Sequence, residues 1–215
     1  MAIKIHNGTQ FKDISDVKIK NGAAFSDVAR VKTKVGGAWQ TVWERNTAKT
    51  YTKDYAIGST QIYWGTGGKE DDYKDQLIQG SYNSSLATSR RTLMMFPAST
   101  IAADLSGATI VSVQLYLKRV SSSHGNESCA LCVKTHNYSS LPSRWDGTDT
   151  GNADSGSPSF TRGQAKWITL SNSVAEGFRS GTVKGLCLDA DATYSMGHYG
   201  RFQKSGTVLR ITYTK

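Results

Sequence analysis

Residues 3 to 44 contain three tandem copies of one 14-residue unit, and this repetition is the strongest constraint on the fold. The copies read IKIHNGTQFKDISD, VKIKNGAAFSDVAR and VKTKVGGAWQTVWE. A glycine, an aromatic residue and an aliphatic residue recur at fixed positions: Gly8, Gly22 and Gly36; Phe11, Phe25 and Trp39; Ile14, Val28 and Val42. A unit this short cannot enclose a core, so it must bury its apolar side chains against neighbours. The repeat therefore predicts an element of assembly or attachment.

Each copy has the pattern of a β-hairpin. Apolar and polar residues alternate, and a turn follows at Asn-Gly in the first two copies and at Gly36-Gly37 in the third. Such dipeptides tolerate the positive φ angles of a type I′ turn, which matches the twist of the flanking strands. The hairpins are predicted to occupy residues 1–48. The polar stretch 45–52, which spans this boundary, is either a linker or a first edge strand.

The three hairpins together would present one apolar face. Chains below about 40 residues rarely fold alone, so something must cover that face. The candidates are the following domain, the same array in other subunits, or a larger assembly. A simple extension of the main domain's sheet is the remaining alternative.

Residues 49–215 have the composition and patterning of an all-β domain. The chain contains 21 glycines and only three prolines, and its apolar segments are short and alternating. Ten strands are expected, at 50–57, 61–64, 77–81, 91–96, 110–118, 128–135, 166–170, 185–189, 199–203 and 208–213. Short strands in a domain of this size predict an antiparallel two-sheet β-sandwich of the jelly-roll type.

Two segments of this domain allow more detailed predictions. Val111, Val113, Leu115 and Leu117 alternate with polar residues, so all four should face the core. The stretch 171–179 begins with a capping serine and places Val174 and Phe178 four residues apart, which predicts the one short helix. Trp167, followed by an alternating strand, is also expected in the core.

The net charge of +9 is unevenly distributed. Residues 1–49 hold nine Lys and Arg against four acidic residues, and the other 166 residues hold 17 against 13. Lysines in strand alternation form a solvated face that resists edge aggregation and attracts anionic cell-wall polymers. No nucleic-acid motif accompanies them, so a specific nucleic-acid partner is not expected.

The three cysteines, Cys129, Cys132 and Cys187, do not form a metal-binding pattern. A C-x-x-C pair occurs, but no second pair stands at zinc spacing. Free thiols in a protein made in a reducing cytosol are the better interpretation. No run of 18 apolar residues and no apolar segment after Met1 occurs, so neither a transmembrane span nor a signal peptide is expected.

Aromatic residues in three loops are candidates for binding carbohydrate. Rings stack on the apolar faces of sugars, and neighbouring polar groups bind the hydroxyls. The candidates are Trp64, Tyr73, Tyr138, Arg144, Trp145, Tyr194, His198 and Tyr199. The alternative for each ring is that it packs on the rim of the sandwich core.

Other site chemistries have weaker support. Asp71, Asp72 and Asp75, or Asp146 and Asp149, would be the ligands of a calcium ion, but the usual D-x-D-x-D-G loop is missing, and no cofactor is predicted. The glycines of 65–68 do not complete a phosphate loop and favour a tight turn instead.

The sequence also lacks the motifs of catalysis. It contains no G-x-S-x-G elbow and no H-E-x-x-H motif. Asp72 and Asp146 remain a conceivable glycosidase pair. The prediction is that the protein is not an enzyme.

Several segments occur in the order found in a known module. They are RRTLMMF (90–96), VSVQLYL (111–117), a Trp145 loop, WITL (167–170) and VAEGFRSGTVKGLCL (174–188). In this order, residues 50–215 resemble the DNRLRE-type module, a carbohydrate-binding-like jelly roll of extracellular bacterial proteins and some phage structural proteins. The N-terminal units separately resemble the N-G-x-x-F/W-x-x-V hairpin repeats of minor tail and fibre proteins of tailed phages.

Together the two resemblances imply a phage virion protein of the tail, fibre or baseplate. Its sandwich would bind host cell-wall polysaccharide or another surface glycan, and residues 1–48 would contact other virion proteins. Several copies on one particle would raise a weak affinity by multivalency. A homo-oligomer is expected, a trimer by analogy with such fibres, and no membrane contact. The alternatives are a purely structural subunit, such as a head-fibre or collar protein, and a fragment of a glycan depolymerase.

Overall fold

The computed structural model describes residues 4–6, 11–13, 17–21, 23–44, 48–83, 85–121, 126–148, 150–153, 155–190 and 196–215. Contacts between Cα atoms divide the chain into two compact units, Met1–Ala48 and Lys49–Lys215.

The first unit consists of three β-hairpins, as the repeat predicts. Their strands are β1 (Lys4–His6) with β2 (Phe11–Asp13), β3 (Lys18–Asn21) with β4 (Ala24–Asp27), and β5 (Arg30–Val35) with β6 (Ala38–Glu44). In the third turn Gly36 and Gly37 have φ angles of +58° and +89°, the positive values that a type I′ turn requires. In the described residues each hairpin forms its own two-stranded sheet.

The repeated apolar side chains of the second and third hairpins are exposed. Phe25 is 66% exposed and its equivalent Trp39 is 67% exposed, and Ile19 and Val35 are also exposed. Trp43, near the end of β6, is buried. The aromatic side chains of the second and third copies are therefore open to solvent in this structure.

The second unit is an antiparallel two-sheet β-sandwich, so the predicted all-β fold is confirmed. One sheet has the order β15-β14-β18-β11-β10-β19, with β8 paired to β11 and β9 paired to β8; the other has the order β17-β12-β20-β7. Two further strands, β13 and β16, pair with each other. The strands are β7 (Thr50–Ala56), β8 (Thr60–Trp64), β9 (Lys69–Glu70), β10 (Gln76–Ser81), β11 (Ser89–Met95), β12 (Thr109–Lys118), β13 (Ser128–Ala130), β14 (Val133–His136), β15 (Thr150–Asn152), β16 (Ser159–Thr161), β17 (Ala165–Leu170), β18 (Gly185–Leu188), β19 (Gly200–Gln203) and β20 (Val208–Thr214).

The core lies between the two sheets. Met94 and Leu186 from the larger sheet pack in one cluster with Leu115 and Leu209 from the smaller one, and all four are fully buried. Each of the ten predicted strand segments contains a strand, but residues 128–135 are divided between β13 and β14. The short strands β9, β15 and β16 were not predicted, because two or three residues carry too little alternation to be recognised.

Two α-helices lie within the described residues, so the prediction of one helix is wrong. The predicted helix is α2 (Asn172–Ser180), and the Ser171 hydroxyl caps it by accepting a hydrogen bond of 3.2 Å from the Ser173 amide. The second helix, α1 (Ala98–Leu105), follows Pro97 and buries Ile101 and Leu105, four residues apart. Neither helix is long and apolar enough to cross a membrane.

The outer half of β12 departs from the predicted alternation. Val113, Leu115 and Leu117 are fully buried as expected, but Val111 is 53% exposed. A β-bulge between Ile110 and Ser112 shifts the register against β20, and Ile110 packs on the core in place of Val111.

Trp167 is half-buried and does not lie in the core, contrary to the prediction. Its neighbour Ile168 is buried, as is Leu170 two residues further along β17. The indole packs against Tyr116, with ring centroids 5.2 Å apart, and against the guanidinium of Arg210 at 4.0 Å. Because side chains alternate along a strand, a buried Ile168 places Trp167 on the opposite face of the sheet.

Candidate functional site

A pocket of about 230 Å³ is lined by residues of β11 and β19 and of the segments next to β10 and β19 in the larger sheet. Its lining is rich in aromatic and cationic groups: Tyr73, Tyr82, Arg90, Tyr199 and Arg201. We call this the aromatic–arginine pocket. It has no carboxylate among its lining residues.

Strand register brings the components of the pocket together. Arg90 of β11 lies directly opposite Trp64 of β8, and Arg201 of β19 lies opposite Ile78 of β10. Ile78 and Tyr199 are fully buried in a small cluster with Ile62, and Tyr73 packs against this cluster. The pocket is therefore supported by its own apolar base.

The guanidinium of Arg90 is surrounded by three aromatic rings. Its central carbon lies 4.1 Å from the centroid of the Trp64 ring, 5.6 Å from that of Tyr73 and 5.7 Å from that of Tyr82. These are cation–π distances, and each contact of this kind contributes about 0.5 to 2 kcal/mol depending on its desolvation.

The charge of Arg90 is balanced inside the protein. Its Nε and Nη2 atoms each lie 3.1 Å from Oε2 of Glu70, and Nη1 donates a hydrogen bond to the Thr88 carbonyl at 3.2 Å. Both Arg90 and Glu70 are only 6% exposed. Removing either partner would leave a buried charge unpaired, so the pair fixes the wall of the pocket.

Arg201 forms the opposite wall with a different set of contacts. Its Nε donates a hydrogen bond of 2.9 Å to the Tyr199 hydroxyl, and its guanidinium carbon lies 4.4 Å from the Tyr73 ring centroid. The Tyr82 and Tyr199 rings meet edge to face at 5.9 Å. Tyr82, 39% exposed, is the most accessible of these rings.

A second depression of about 310 Å³ shares Tyr73 with the aromatic–arginine pocket. It is polar, and its lining includes Gln61, Glu70, Lys74, Gln76 and Lys204. The side-chain carbonyl of Gln76 is buried and has no hydrogen-bond partner in the described part of the chain. Buried polar atoms normally have partners, so this oxygen is an exception, but its burial keeps it out of reach of a ligand.

Three of the predicted carbohydrate-binding residues meet at this location, namely Trp64, Tyr73 and Tyr199. Trp64 and Tyr73 are half-buried, whereas Tyr199 is fully buried and offers only an edge of the wall. Tyr194 lies outside the described residues. The predicted residues of the middle loop lie elsewhere.

Trp145 packs inside the protein. It is 2% exposed, meets Tyr63 edge to face at 5.6 Å, and donates a hydrogen bond from its indole nitrogen to the Thr148 carbonyl at 3.0 Å. Tyr138 packs against the same small cluster. Arg144 is exposed and donates a hydrogen bond to the Thr66 carbonyl at 2.7 Å. In this structure the Trp145 ring therefore has no free face on which a sugar can stack.

His198 does not line the pocket and lies next to a cysteine. Its Nδ1 is 3.7 Å from the Cys132 sulfur, and its backbone carbonyl accepts a hydrogen bond from Gln79. A cysteine and a histidine in contact are the first requirement of a thiol nucleophile. No described side chain orients the other ring nitrogen, so the arrangement lacks the third group of a catalytic triad.

Asp146, one of the two carboxylates suggested as a glycosidase pair, does not have the raised pKa of a general acid. The hydroxyl and amide of Thr148 donate hydrogen bonds to Asp146 and hold the pKa of that carboxyl below its usual value. A general acid needs a raised pKa. Within the described ranges, no group of three His, Cys, Asp or Glu side chains is arranged to hold a metal ion, and Asp149 lies outside them.

Three residues of the pocket were not among the predicted site residues: Tyr82, Arg90 and Arg201. Tyr82 stands in a Gly-Ser-Tyr-Asn-Ser-Ser stretch, and Arg201 ends the loop segment that was singled out for Tyr194, His198 and Tyr199. Arg90 begins a strand-like segment. An aromatic residue beside a glycine- and serine-rich turn is a usable signal for Tyr82, but the role of Arg90 depends on its pairing with Trp64 across the sheet.

Comparison with known proteins does not extend this description. No protein-family model matches the chain, and no curated protein sequence matches it.

Proposed function

We propose that this chain is a non-enzymatic virion protein of a tailed phage that binds host cell-surface carbohydrate through its β-sandwich. The observation that carries the binding role is the aromatic–arginine pocket, in which Tyr73 and Tyr82 offer ring surface beside guanidinium donors. Aromatic surface with a few convergent polar groups is the usual composition of a saccharide site. Assignment to a virion rests on the resemblance of the repeats and of the sandwich segments.

We further propose that residues 1–48 attach the protein to other copies of itself or to other virion proteins. Phe25 and Trp39 are both about two-thirds exposed, at equivalent positions of adjacent repeats. Two-stranded hairpins alone are marginally stable in water, so a partner that covers these side chains would stabilise the hairpins. The same exposed side chains also favour the second candidate function, a purely structural virion subunit.

Carbohydrate binding is tested with the full chain on an array of bacterial cell-wall polysaccharides and peptidoglycan fragments. The Tyr82→Ala variant removes the most accessible ring of the pocket. Tyr51→Ala is the matched control, because Tyr51 is 40% exposed and stacks on Tyr213 in the smaller sheet. We expect at least a tenfold loss of affinity for Tyr82→Ala and none for Tyr51→Ala. Failure of the unmodified chain to bind any glycan would favour the purely structural subunit.

Attachment is tested by light scattering on the full chain over a range of concentrations. We expect an oligomer, a trimer by analogy, and dissociation to monomers when Phe25 and Trp39 are both replaced by serine. A monomeric unmodified chain would contradict self-assembly and leave other virion proteins as the partners of the array.

A further inference from the structure

Three guanidinium groups in the described residues stack on aromatic rings. They differ in whether a carboxylate is paired with the positive charge. Arg90 stacks on Trp64 and is paired with Glu70. Arg210 stacks on Trp167 and is held by both carboxylate oxygens of Asp54, at 2.7 and 2.8 Å. Arg201 stacks on Tyr73, and no carboxylate of the described chain lies within ion-pair distance of it.

Among the described residues, no carboxylate is paired with the charge that Arg201 brings to the pocket. The Nε atom of Arg201 donates a hydrogen bond to the Tyr199 hydroxyl, and its guanidinium also interacts with the Tyr73 side chain; both partners are phenols, and neither is a carboxylate. The side chain is half-buried between the rings of the pocket, so water solvates it only in part. A partly desolvated cation is stabilised by an anionic partner.

We infer that the aromatic–arginine pocket recognises a saccharide that carries an anionic group, either a carboxylate or a phosphate, and that Arg201 is the residue that binds this group. The planar fork of a guanidinium matches both anions through two parallel hydrogen bonds. The rings of Tyr73 and Tyr82 supply the stacking surface for the adjacent sugar. The inference rests on the proposed carbohydrate binding and adds the chemical class of the ligand.

The charge of the whole chain is consistent with this ligand. The net charge of +9 attracts anionic polymers over long distances and raises their association rate at low salt. Such attraction does not depend on one arginine, whereas recognition in the pocket does. The experiment must therefore separate the two effects.

Binding of the full chain is measured by calorimetry at 150 mM salt with three probes: an oligogalacturonate, a glycerol-phosphate polymer and a neutral gluco-oligosaccharide. We expect at least one anionic probe to bind ten or more times more tightly than the neutral one. The oligogalacturonate and the glycerol-phosphate polymer distinguish a carboxylate from a phosphate as the recognised group.

Replacement of Arg201 by glutamine should weaken binding of the preferred anionic probe at least tenfold and binding of the neutral probe by a smaller factor, because only the anionic group interacts with the charge. Arg201→Lys should retain part of the affinity, because the charge remains but the fork is lost. Arg210→Gln is the matched control. Arg210 also stacks on an aromatic ring, but its charge is already paired with Asp54. We expect no change from this substitution.

The outcomes separate this inference from the proposed function. Equal binding of neutral and anionic probes, unaffected by Arg201→Gln, would leave carbohydrate binding intact and overturn the inference. Anionic binding that Arg201→Gln and Arg210→Gln weaken equally would be general attraction to a polycation and would also overturn it. Absence of binding to all probes, confirmed on the wider glycan array, would overturn both.

Discussion

The hairpin array and the sandwich are built from the same alternating pattern of apolar and polar residues, but they place their apolar side chains in opposite environments. Phe25 in the array is 66% exposed, whereas Phe160 and Phe178 in the sandwich are fully buried. The difference arises from the number of layers. A strand buries its apolar face only when a second layer packs on that face, and the hairpins are single two-stranded sheets. Alternation thus predicts strands in both regions and burial in only one.

The largest expected effect is a difference in the free energy of unfolding between two variants, one with a substitution in the sandwich and one with a substitution in the array. Phe178→Ala should lower the free energy of unfolding by about 3 to 5 kcal/mol, because it leaves a cavity beside Phe96 in the core. Phe25→Ala should change the unfolding of the sandwich by less than about 0.5 kcal/mol, since its ring is exposed. Urea unfolding of both full-length variants, followed by circular dichroism at a dilute concentration, measures the two values. A comparable loss for Phe25→Ala would show that its ring is covered in solution.

Strands whose alternation is local could be predicted from the sequence, whereas features that depend on pairing across the sheet could not. Strands β7, β12 and β20 were found because their alternation is local. The exposure of Val111 was not predicted, because the bulge that causes it depends on the register against β20. Helix α1 was not predicted, although Ile101 and Leu105 have helical spacing, because its eight residues carry only about two turns of the helical pattern.

The candidate site was predicted only in part, for a related reason. Loop aromatics can be recognised by composition, but composition does not distinguish Tyr73, which lines the pocket, from Trp145, which packs in the interior. Arg90 and Arg201 come from strands far apart in the chain. Arg90 is paired with Glu70 and Arg201 is not, and this difference in charge pairing arises only in the folded sheet.

The next effect is an acid-induced loss of stability that originates in the sandwich. His136 is 2% exposed; its Nδ1 accepts a hydrogen bond from the Tyr138 amide, and its Nε2 is 3.2 Å from the Met94 carbonyl. Burial lowers the pKa of His136 to about 4 from an ordinary value of 6.5, although the hydrogen bond to Met94 opposes the change. Between these pH values the unfolded chain binds a proton that the folded chain excludes, so stability is highest above about pH 6.5 and falls as the pH decreases to 4.

The full loss attributable to His136 is about 3 kcal/mol once the pH is below 4. Urea unfolding at intervals between pH 7 and pH 4 measures it. His136→Gln should be less stable at pH 7 but should show a flatter pH dependence over this range. An unchanged slope in His136→Gln would assign the acid sensitivity to other groups.

The smallest effects distinguish two reasons for which a glycine is required, one in each region. In the sandwich, a Cβ at Gly185 would lie 2.3 Å from both His136 Nε2 and the Met94 carbonyl oxygen. In the array, a Cβ at Gly36 would meet nothing within 4 Å, but its φ of +58° is unfavourable for other residues.

Gly185→Ala should therefore lower the free energy of unfolding by about 1 to 3 kcal/mol through crowding. Gly36→Ala should cost about 1 kcal/mol, confined to the third hairpin. Urea unfolding reports the first, and amide hydrogen exchange at Val35 and Ala38 reports the second. If Gly36→Ala shifted the main unfolding transition as much as Gly185→Ala, the array and the sandwich would unfold together, and the independence of the two regions would be disproved.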